Sequence, residues 1–191
     1  MSEAALPRAT DRLLLRRFAV GDLAHFQSYR RDPAVGRFQG WSAMDDATAA
    51  AFIAAMAAAP IGAPGEWVQI AVADRATGAL VGDIGLCVRD APAATAEIGF
   101  TMAPEAQGKG LGTEAVRGAI ALSFDGTGIE SIECITDARN APSIRLLERI
   151  GMNLQHSREA QFKGETCTEH VYSITRSAWS AHVGITAANP R

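Results

Sequence analysis

With 191 residues, 48% of them hydrophobic, the chain can bury the core of a single domain over residues 1–191. We expect the core at about 12–180 and a tail at 181–191. The net charge of −3 argues against a general nucleic-acid binder, because such proteins usually carry a strongly basic surface. The cysteines Cys87, Cys134 and Cys167 form no CxxC motif, so we expect reduced, buried thiols in a cytoplasmic protein.

The first half of the chain predicts a strand, two helices and then a meander of three strands. The expected bounds are a strand at 12–18, helices at 21–32 and 47–60, and strands at 66–74, 79–88 and 95–103. The alanine-rich second helix is too short to span a membrane, so we expect a surface helix that buries Phe52, Ile53 and Met56. No membrane partner is expected.

The second half alternates between helices and strands. The expected bounds are helices at 110–124 and 141–151, and strands at 130–138, 153–162 and 167–175, with a loop at 90–94 and little regular structure at 179–191. Gly151 fits a helix C-cap. This order of elements predicts the α/β class, with one mixed sheet and helices on both faces.

A glycine-rich loop opens the helix predicted at 110–124, in the stretch EAQGKGLGTEAVRGAI at 105–120. It fails the P-loop pattern, because Lys109 is followed by Gly110, and its GxGxG spacing also fails the dinucleotide pattern GxGxxG. The first turn of a helix presents unpaired N–H groups and a partial positive charge. With the added charge of Lys109, the loop predicts a site for a phosphate or pyrophosphate.

The stretch MAPEAQGKGLG resembles the acyl-CoA loop of the GNAT N-acetyltransferases, Q/R-x-x-G-x-G/A, at Gln107, Gly110 and Gly112. Together with DARNAPSIRLLERIGM it is similar to the branch of the ribosomal-protein N-terminal alanine acetyltransferases, and the resemblance spans nearly the whole chain. It implies the GNAT fold: a single mixed, mostly antiparallel sheet of six to seven strands, in which the fourth and fifth strands splay apart.

The resemblance also implies acetyl-CoA as cosubstrate, with its pyrophosphate on the glycine loop and its pantetheine along GFTM at 99–102. Main-chain amides of Phe100 to Met102 would stabilise the oxyanion. The implied cofactor-binding residues are Phe100, Thr101, Met102, Gln107, Gly108, Lys109, Gly110, Leu111, Gly112, Thr113, Asn140 and Ser143. Gly99 independently suggests a bulge or a close backbone approach within its strand.

The resemblance implies Ser143 as the residue near the reacting sulfur and Asn140 as a pantetheine ligand, while the tyrosine that many relatives carry in that segment is missing here. The alternative for both residues is that they cap the start of a helix at Pro142. The resemblance places Phe38 and Trp41, with Gln39, around the acceptor amine, although Trp41 could also be an ordinary core residue.

Glu97 is the carboxylate closest in sequence to the implied reaction centre, and we predict that it accepts the amine proton, through a water. The alternative is an ion pair with an arginine on a covering helix. Asp83, on the preceding strand, could be its neighbour, while His170 is expected to be structural. No His/Cys cluster has metal-ligand spacing, so no metal is expected.

Together these features predict an enzyme that transfers an acetyl group from acetyl-CoA to a primary amine by direct attack in a ternary complex. A protein N-terminus is one acceptor class. The alternatives are an acetyltransferase for a small amine, such as an antibiotic or polyamine, and a CoA-binding sensor without catalysis. Either a monomer or a homodimer is compatible with the sequence.

Overall fold

A computed structural model describes residues 6–89, 95–125 and 127–188, with side chains as far as residue 184. Its eight described strands form one sheet in the order β1-β2-β3-β4-β5-β6-β8-β7. The strands are β1 (Arg8–Ala9), β2 (Leu13–Arg16), β3 (Trp67–Asp74), β4 (Leu80–Val88), β5 (Thr95–Met102), β6 (Ser131–Asp137), β7 (Asn153–Phe162) and β8 (Glu165–Thr175).

All neighbouring strands are antiparallel except β5 and β6, which are parallel. The predicted mixed, mostly antiparallel sheet is therefore confirmed, and the two-residue β1 brings the strand number to eight. The pairing of β5 with β6 covers only three residue pairs and ends at Glu97 and Glu133. Because both strands continue beyond this point, a gap opens between them.

Helices pack on both faces of the sheet. They are α1 (Leu23–Arg30), α2 (Pro33–Gly36), α3 (Asp46–Ala58), α4 (Leu111–Phe124), α5 (Ala141–Arg149) and α6 (Arg176–Ala188). Ile70 and Val72 of β3 belong to the larger core cluster with α4 and α5, whereas Ala71 belongs to a smaller cluster with α1 and α3. Since successive strand residues point to opposite faces, the two clusters lie on opposite sides of the sheet.

The last helix corrects the expectation of little regular structure at 179–191. Residues 176–188 form α6, while 189–191 lie outside the described residues. Thr175 Oγ1 accepts a hydrogen bond from the amide of Ala178, and the Arg176 guanidinium donates to the carbonyls of Phe124 and Thr127. Trp179, only 8% exposed, packs into the larger core. Contacts with distant segments therefore stabilise a helix that has little sequence signal of its own.

Smaller differences concern α2 and Gly99. Pro33–Gly36 forms one turn of helix beyond the helix expected at 21–32. The register of β4 with β5 is continuous, so the bulge suggested at Gly99 is absent from that pairing. Ile53 of α3 is buried as predicted, with Phe52 and Met56 partly buried beside it. The loop expected at 90–94 lies outside the described residues. Within the described ranges, no helix has the length and apolar character needed to cross a membrane.

Candidate active site

The glycine loop has a backbone that only glycine adopts readily. Gly108 and Gly110 have φ angles of +71° and +77°, in the left-handed region. Gly110 is the N-cap of α4, and no side chain caps this helix, so its first amides keep their donor capacity. Gly112 serves packing instead, because a Cβ there would lie 3.1 Å from Leu146 Cδ1 of α5. The loop is therefore a shaped backbone surface that can accept an anion.

The loop is braced from the first strands of the sheet. The Arg12 guanidinium donates to the Lys109 carbonyl at 3.0 Å and to Glu114 at 2.7 Å. Burial of Glu114 acts to raise its pKa, but hydrogen bonds from Thr10 and Arg12 hold the pKa below its usual value. Glu114 therefore stays ionised near neutral pH and keeps Arg12 in place.

A cavity of about 660 Å³ occupies the gap between β5 and β6 and reaches the glycine loop. Its walls come from β5, the loop, β6, the start of α5 and the segment around α2. The lining residues of β5, the loop and β6 are Ile98, Gly99, Phe100, Thr101, Met102, Gln107, Gly108, Gly110, Gly112, Thr113, Cys134, Ile135 and Thr136. The others are Ala34, Val35, Phe38, Gln39, Asn140, Pro142, Ser143, Arg145, Leu146 and Arg149.

Alternate residues of β5 turn their backbone groups towards this gap. The carbonyl of Phe100 accepts a hydrogen bond from Gln39 Nε2 at 3.1 Å, and that of Met102 accepts one from Gln107 Nε2 at 2.9 Å. Ala103, next along the chain, donates instead to Val81 on the β4 side. Because the N–H and C=O of one strand residue point the same way, the amides of Phe100 and Met102 also face the gap.

The start of α5 brings two predicted residues to the cavity. Asn140 is the N-cap, and its Oδ1 accepts a hydrogen bond from the Ser143 amide at 3.3 Å, so the capping role is present. Ser143 is 9% exposed, and among the described residues its hydroxyl makes no hydrogen bond. That hydroxyl therefore keeps its hydrogen-bonding capacity for a ligand.

Two arginines of α5, Arg145 and Arg149, line the cavity without having been identified from the sequence. Their four-residue spacing on a helix is the signal that could have found them, because residues four apart share a face. They place two exposed positive charges beside a loop suited to phosphates. Cys134 and Thr136 of β6 were also not identified from the sequence as cavity residues. Whether they line the gap depends on how β6 pairs with β5, which the sequence does not show.

Four predicted site residues lie outside the cavity lining: Glu97, Trp41, Lys109 and Leu111. Lys109 is exposed beside the loop, and Leu111 packs against the larger core. The Trp41 ring lies 4.5 Å from the Arg30 guanidinium. This packing agrees with the alternative that Trp41 is an ordinary core residue. An acceptor-binding role for Trp41 stays a prediction.

Glu97 stands where β5 and β6 are still paired, and its carboxylate accepts a hydrogen bond from Arg89 at 2.6 Å. This arginine follows β4 rather than lying on a covering helix. Burial raises the pKa of Glu97, Arg89 opposes this effect, and the negative charge of Glu133 adds to it. Asp83 is not a neighbour, because it pairs with Thr101 in the register of β4 with β5.

His170 forms a 2.8 Å contact between its Nδ1 and the Ser157 hydroxyl, in keeping with a structural role. The three cysteines are buried, as expected. Within the described ranges, no group of three or more His, Cys, Asp or Glu side chains is arranged to hold a metal ion. The cavity lining offers backbone donors, hydroxyl groups, side-chain amides, the Cys134 thiol and two guanidinium groups.

Comparison with known proteins agrees with this geometry. Residues 12–153 match the family model of the acetyltransferase (GNAT) domain. The chain is 27% identical over 141 residues to p20, an uncharacterized N-acetyltransferase of Bacillus licheniformis, covering 74% of this chain and 79% of that protein.

Two solved structures share the fold. RimJ of Mycobacterium smegmatis, in complex with CoA-disulfide, has a TM-score of 0.77 at 18% identity, with 96% of each chain covered. The self-immunity acetyltransferase MccE, in complex with acetyl-CoA and AMP, has a TM-score of 0.75 at 17% identity, covering 87% of this chain and 93% of that one. With the family model spanning most of its length, the chain belongs to the GNAT acetyltransferase family.

Proposed function

We propose that this GNAT acetyltransferase transfers the acetyl group of acetyl-CoA to the α-amine of a protein N-terminus by direct attack in a ternary complex. The observation that carries the proposal is the continuous cavity between β5 and β6. The glycine loop lines one part of it and the segment 34–39 another, so a cofactor and an acceptor can meet beside Phe100. The proposal treats the protein as a single-domain, cytoplasmic enzyme, either monomeric or homodimeric.

The cofactor would follow the polar groups of the cavity. Its pyrophosphate would accept hydrogen bonds from amides between Gln107 and Thr113, where Gly108 and Gly110 shape the backbone. Arg145 and Arg149 would add charge beside the phosphates. The pantetheine would then run along β5, and the thioester oxygen would reach the amides of Phe100 and Met102, which could stabilise an oxyanion.

Two side chains would act at the departing thiolate and at the amine. The Ser143 hydroxyl lies in the cavity wall without a protein partner among the described residues, so it could donate a hydrogen bond to the departing thiolate, which would take its proton from solvent. Glu97 shares a strand face with Gly99 and Thr101, which line the cavity, and its raised pKa suits a base acting through a water. Its ion pair with Arg89 would weaken that basicity.

A protein N-terminus is favoured by space and by chemistry. A Cβ built on Gly99 meets nothing within 4 Å, so the sheet beside the gap is open at this position, where an extended acceptor chain would lie. An α-amine with a pKa of about 7.7–8.0 is about one-tenth neutral at pH 7, whereas a lysine amine is neutral at about four parts in ten thousand. Because the ion pair with Arg89 weakens Glu97 as a base, Glu97 is better suited to an α-amine than to a lysine amine.

A small-molecule amine is the second candidate, because MccE, which shares the fold, was solved with acetyl-CoA and AMP. The two candidates can be separated by measuring CoA release with four acceptors. These are peptides with a free α-amine, the same peptides N-acetylated, spermidine and an aminoglycoside.

We expect transfer only to peptides with a free α-amine. Faster transfer to spermidine or the aminoglycoside would establish the small-molecule alternative. Binding of acetyl-CoA without transfer to any amine would favour a sensor, and absence of binding would overturn the proposal as a whole.

A further inference from the structure

Two carbonyls that β5 turns towards the gap, those of Phe100 and Met102, accept hydrogen bonds from glutamine side chains. Gln39 reaches Phe100 from the segment that follows α2, and Gln107 reaches Met102 from the glycine loop. A side-chain amide is a neutral donor, so each glutamine satisfies a carbonyl without adding a net charge. Beside these two carbonyls, the amides of Phe100 and Met102 are donors.

Gln39 is held in place by contacts outside the cavity. The backbone amide of Gln39 donates to the Gly36 carbonyl at 3.2 Å. The same carbonyl accepts a second hydrogen bond, at 2.8 Å, from Lys163 Nζ in the turn between β7 and β8. Gly36 also lies under the Trp41 ring, where an added Cβ would approach to 3.1 Å. The side chain is therefore delivered to Phe100 by a supported loop, as a preorganised group requires.

We propose that Gln39 is a positioning residue that makes the site prefer acetyl-CoA to free CoA, because it caps the Phe100 carbonyl next to the place of the thioester oxygen. This inference rests on the proposed function, which brings the acyl group to that point. Without this hydrogen bond, the partial negative charge of the Phe100 carbonyl oxygen would repel the thioester oxygen, and such repulsion is stronger in a partly buried site than in water. Free CoA has no acyl oxygen, so its binding would not depend on the cap.

The test compares the affinities of acetyl-CoA and CoA, measured by calorimetry, in wild type, Gln39→Glu and Gln39→Leu. A carboxylate places negative charge beside the carbonyl and cannot donate, whereas leucine only removes the donor. The matched control is Gln155→Glu. Exposed Gln155 also donates a hydrogen bond from its Nε2 to a backbone carbonyl, that of Asn153 at 3.0 Å, but it lies outside the cavity lining.

At pH 8 we expect Gln39→Glu to weaken acetyl-CoA binding about tenfold and Gln39→Leu about threefold. CoA binding should stay within about twofold in both, and Gln155→Glu should bind both ligands as wild type does. As the pH falls, Gln39→Glu should regain acetyl-CoA affinity relative to Gln39→Leu, because a protonated carboxyl group can donate to the Phe100 carbonyl again. A purely structural role of Gln39 predicts an equal recovery for acetyl-CoA and for CoA.

Equal losses for acetyl-CoA and CoA, or no loss for either, would overturn the proposal and leave Gln39 as a loop anchor. If Gln39→Glu fails to fold, Gln39→Leu decides the same question through the ratio of the two affinities. Wild-type protein that binds neither ligand would overturn the proposed function itself, an outcome distinguishable from a failure specific to Gln39.

Discussion

The two faces of the sheet use polar groups in different ways. On the side of α1 and α3, Arg30 and Asp83 form a buried ion pair at 2.9 Å, with side chains only 4% and 2% exposed. The Tyr29 hydroxyl donates to the same carboxylate at 2.6 Å, and the Trp41 ring covers the guanidinium. Charged side chains here are engaged with one another.

On the side of α4 and α5 the core cluster is apolar, and most of the hydrogen-bond donors near it are backbone amides. Gly110 leaves the first amides of α4 without a side-chain cap, and Phe100 and Met102 turn their amides into the gap. One face therefore holds a buried network of charged and hydroxyl side chains, whereas the backbone donors lie at the glycine loop and at the edge of β5. Substitutions on the two faces should therefore separate stability from cofactor binding.

The largest effect is expected for Asp83→Ala, which leaves the Arg30 charge buried without its partner. We expect the free energy of unfolding to fall by about 3–5 kcal/mol, measured by urea denaturation. The control is Asp125→Ala, which removes the exposed pair with Arg8 and should cost about 0–1 kcal/mol. If both variants lose the same small amount, the buried pair does not hold this face.

Gly110→Val tests the other face. We expect at least about a tenfold loss of acetyl-CoA affinity in calorimetry, because a branched side chain disfavours the left-handed backbone that shapes the loop. Gly78→Val is matched to it, since Gly78 has a φ of +74° and open space around its Cβ position but lies in the turn between β3 and β4. Equal affinities in the two variants would contradict the assignment of the loop to phosphates.

Ser143→Ala asks whether a side chain adds to the backbone donors. We expect kcat to fall about tenfold with a smaller rise in the KM for acetyl-CoA, because the hydroxyl contact would strengthen as thiolate develops. The control is Ser123→Ala, whose buried hydroxyl is already bonded to the Ala119 carbonyl at 2.8 Å. A change confined to KM would make Ser143 a binding or capping residue.

Glu97→Gln should have the smallest effect, a loss of about threefold in kcat/KM near pH 7, because the ion pair with Arg89 weakens the base. The raised pKa of Glu97 means that its carboxylate takes up a proton at a higher pH than usual as acid is added. Wild type should therefore show an acidic limb that the variant lacks, and the difference should shrink as the pH rises towards the amine pKa.

The control for this profile is Glu133→Gln, which removes the carboxylate 3.5 Å from the same arginine. A loss that is constant at all pH values, or the same profile in both variants, would remove Glu97 from the mechanism and leave solvent as the base.

Features that depend on local backbone chemistry could be predicted from the sequence alone. The glycine-rich stretch indicated a loop at the mouth of a helix, and a helix cap was one of the two alternatives for Asn140 before Pro142; the loop and the cap are both present. The alternation of strand residues and the spacing of helical ones predicted a mixed sheet with helices on both faces. These signals lie within a few residues of one another, so no knowledge of distant contacts was needed.

Only the tertiary structure decided which side chains meet across the gap. Gln39 and Phe100 are 61 positions apart, and their hydrogen bond depends on where the loop after α2 crosses β5. The ion pair between Glu97 and Arg89 depends on the register of β4 with β5. Helix α6 is stabilised because Trp179 packs into the larger core cluster. Such contacts come from the packing of whole elements, whose relative positions are set by the summed burial of many side chains rather than by any local pattern.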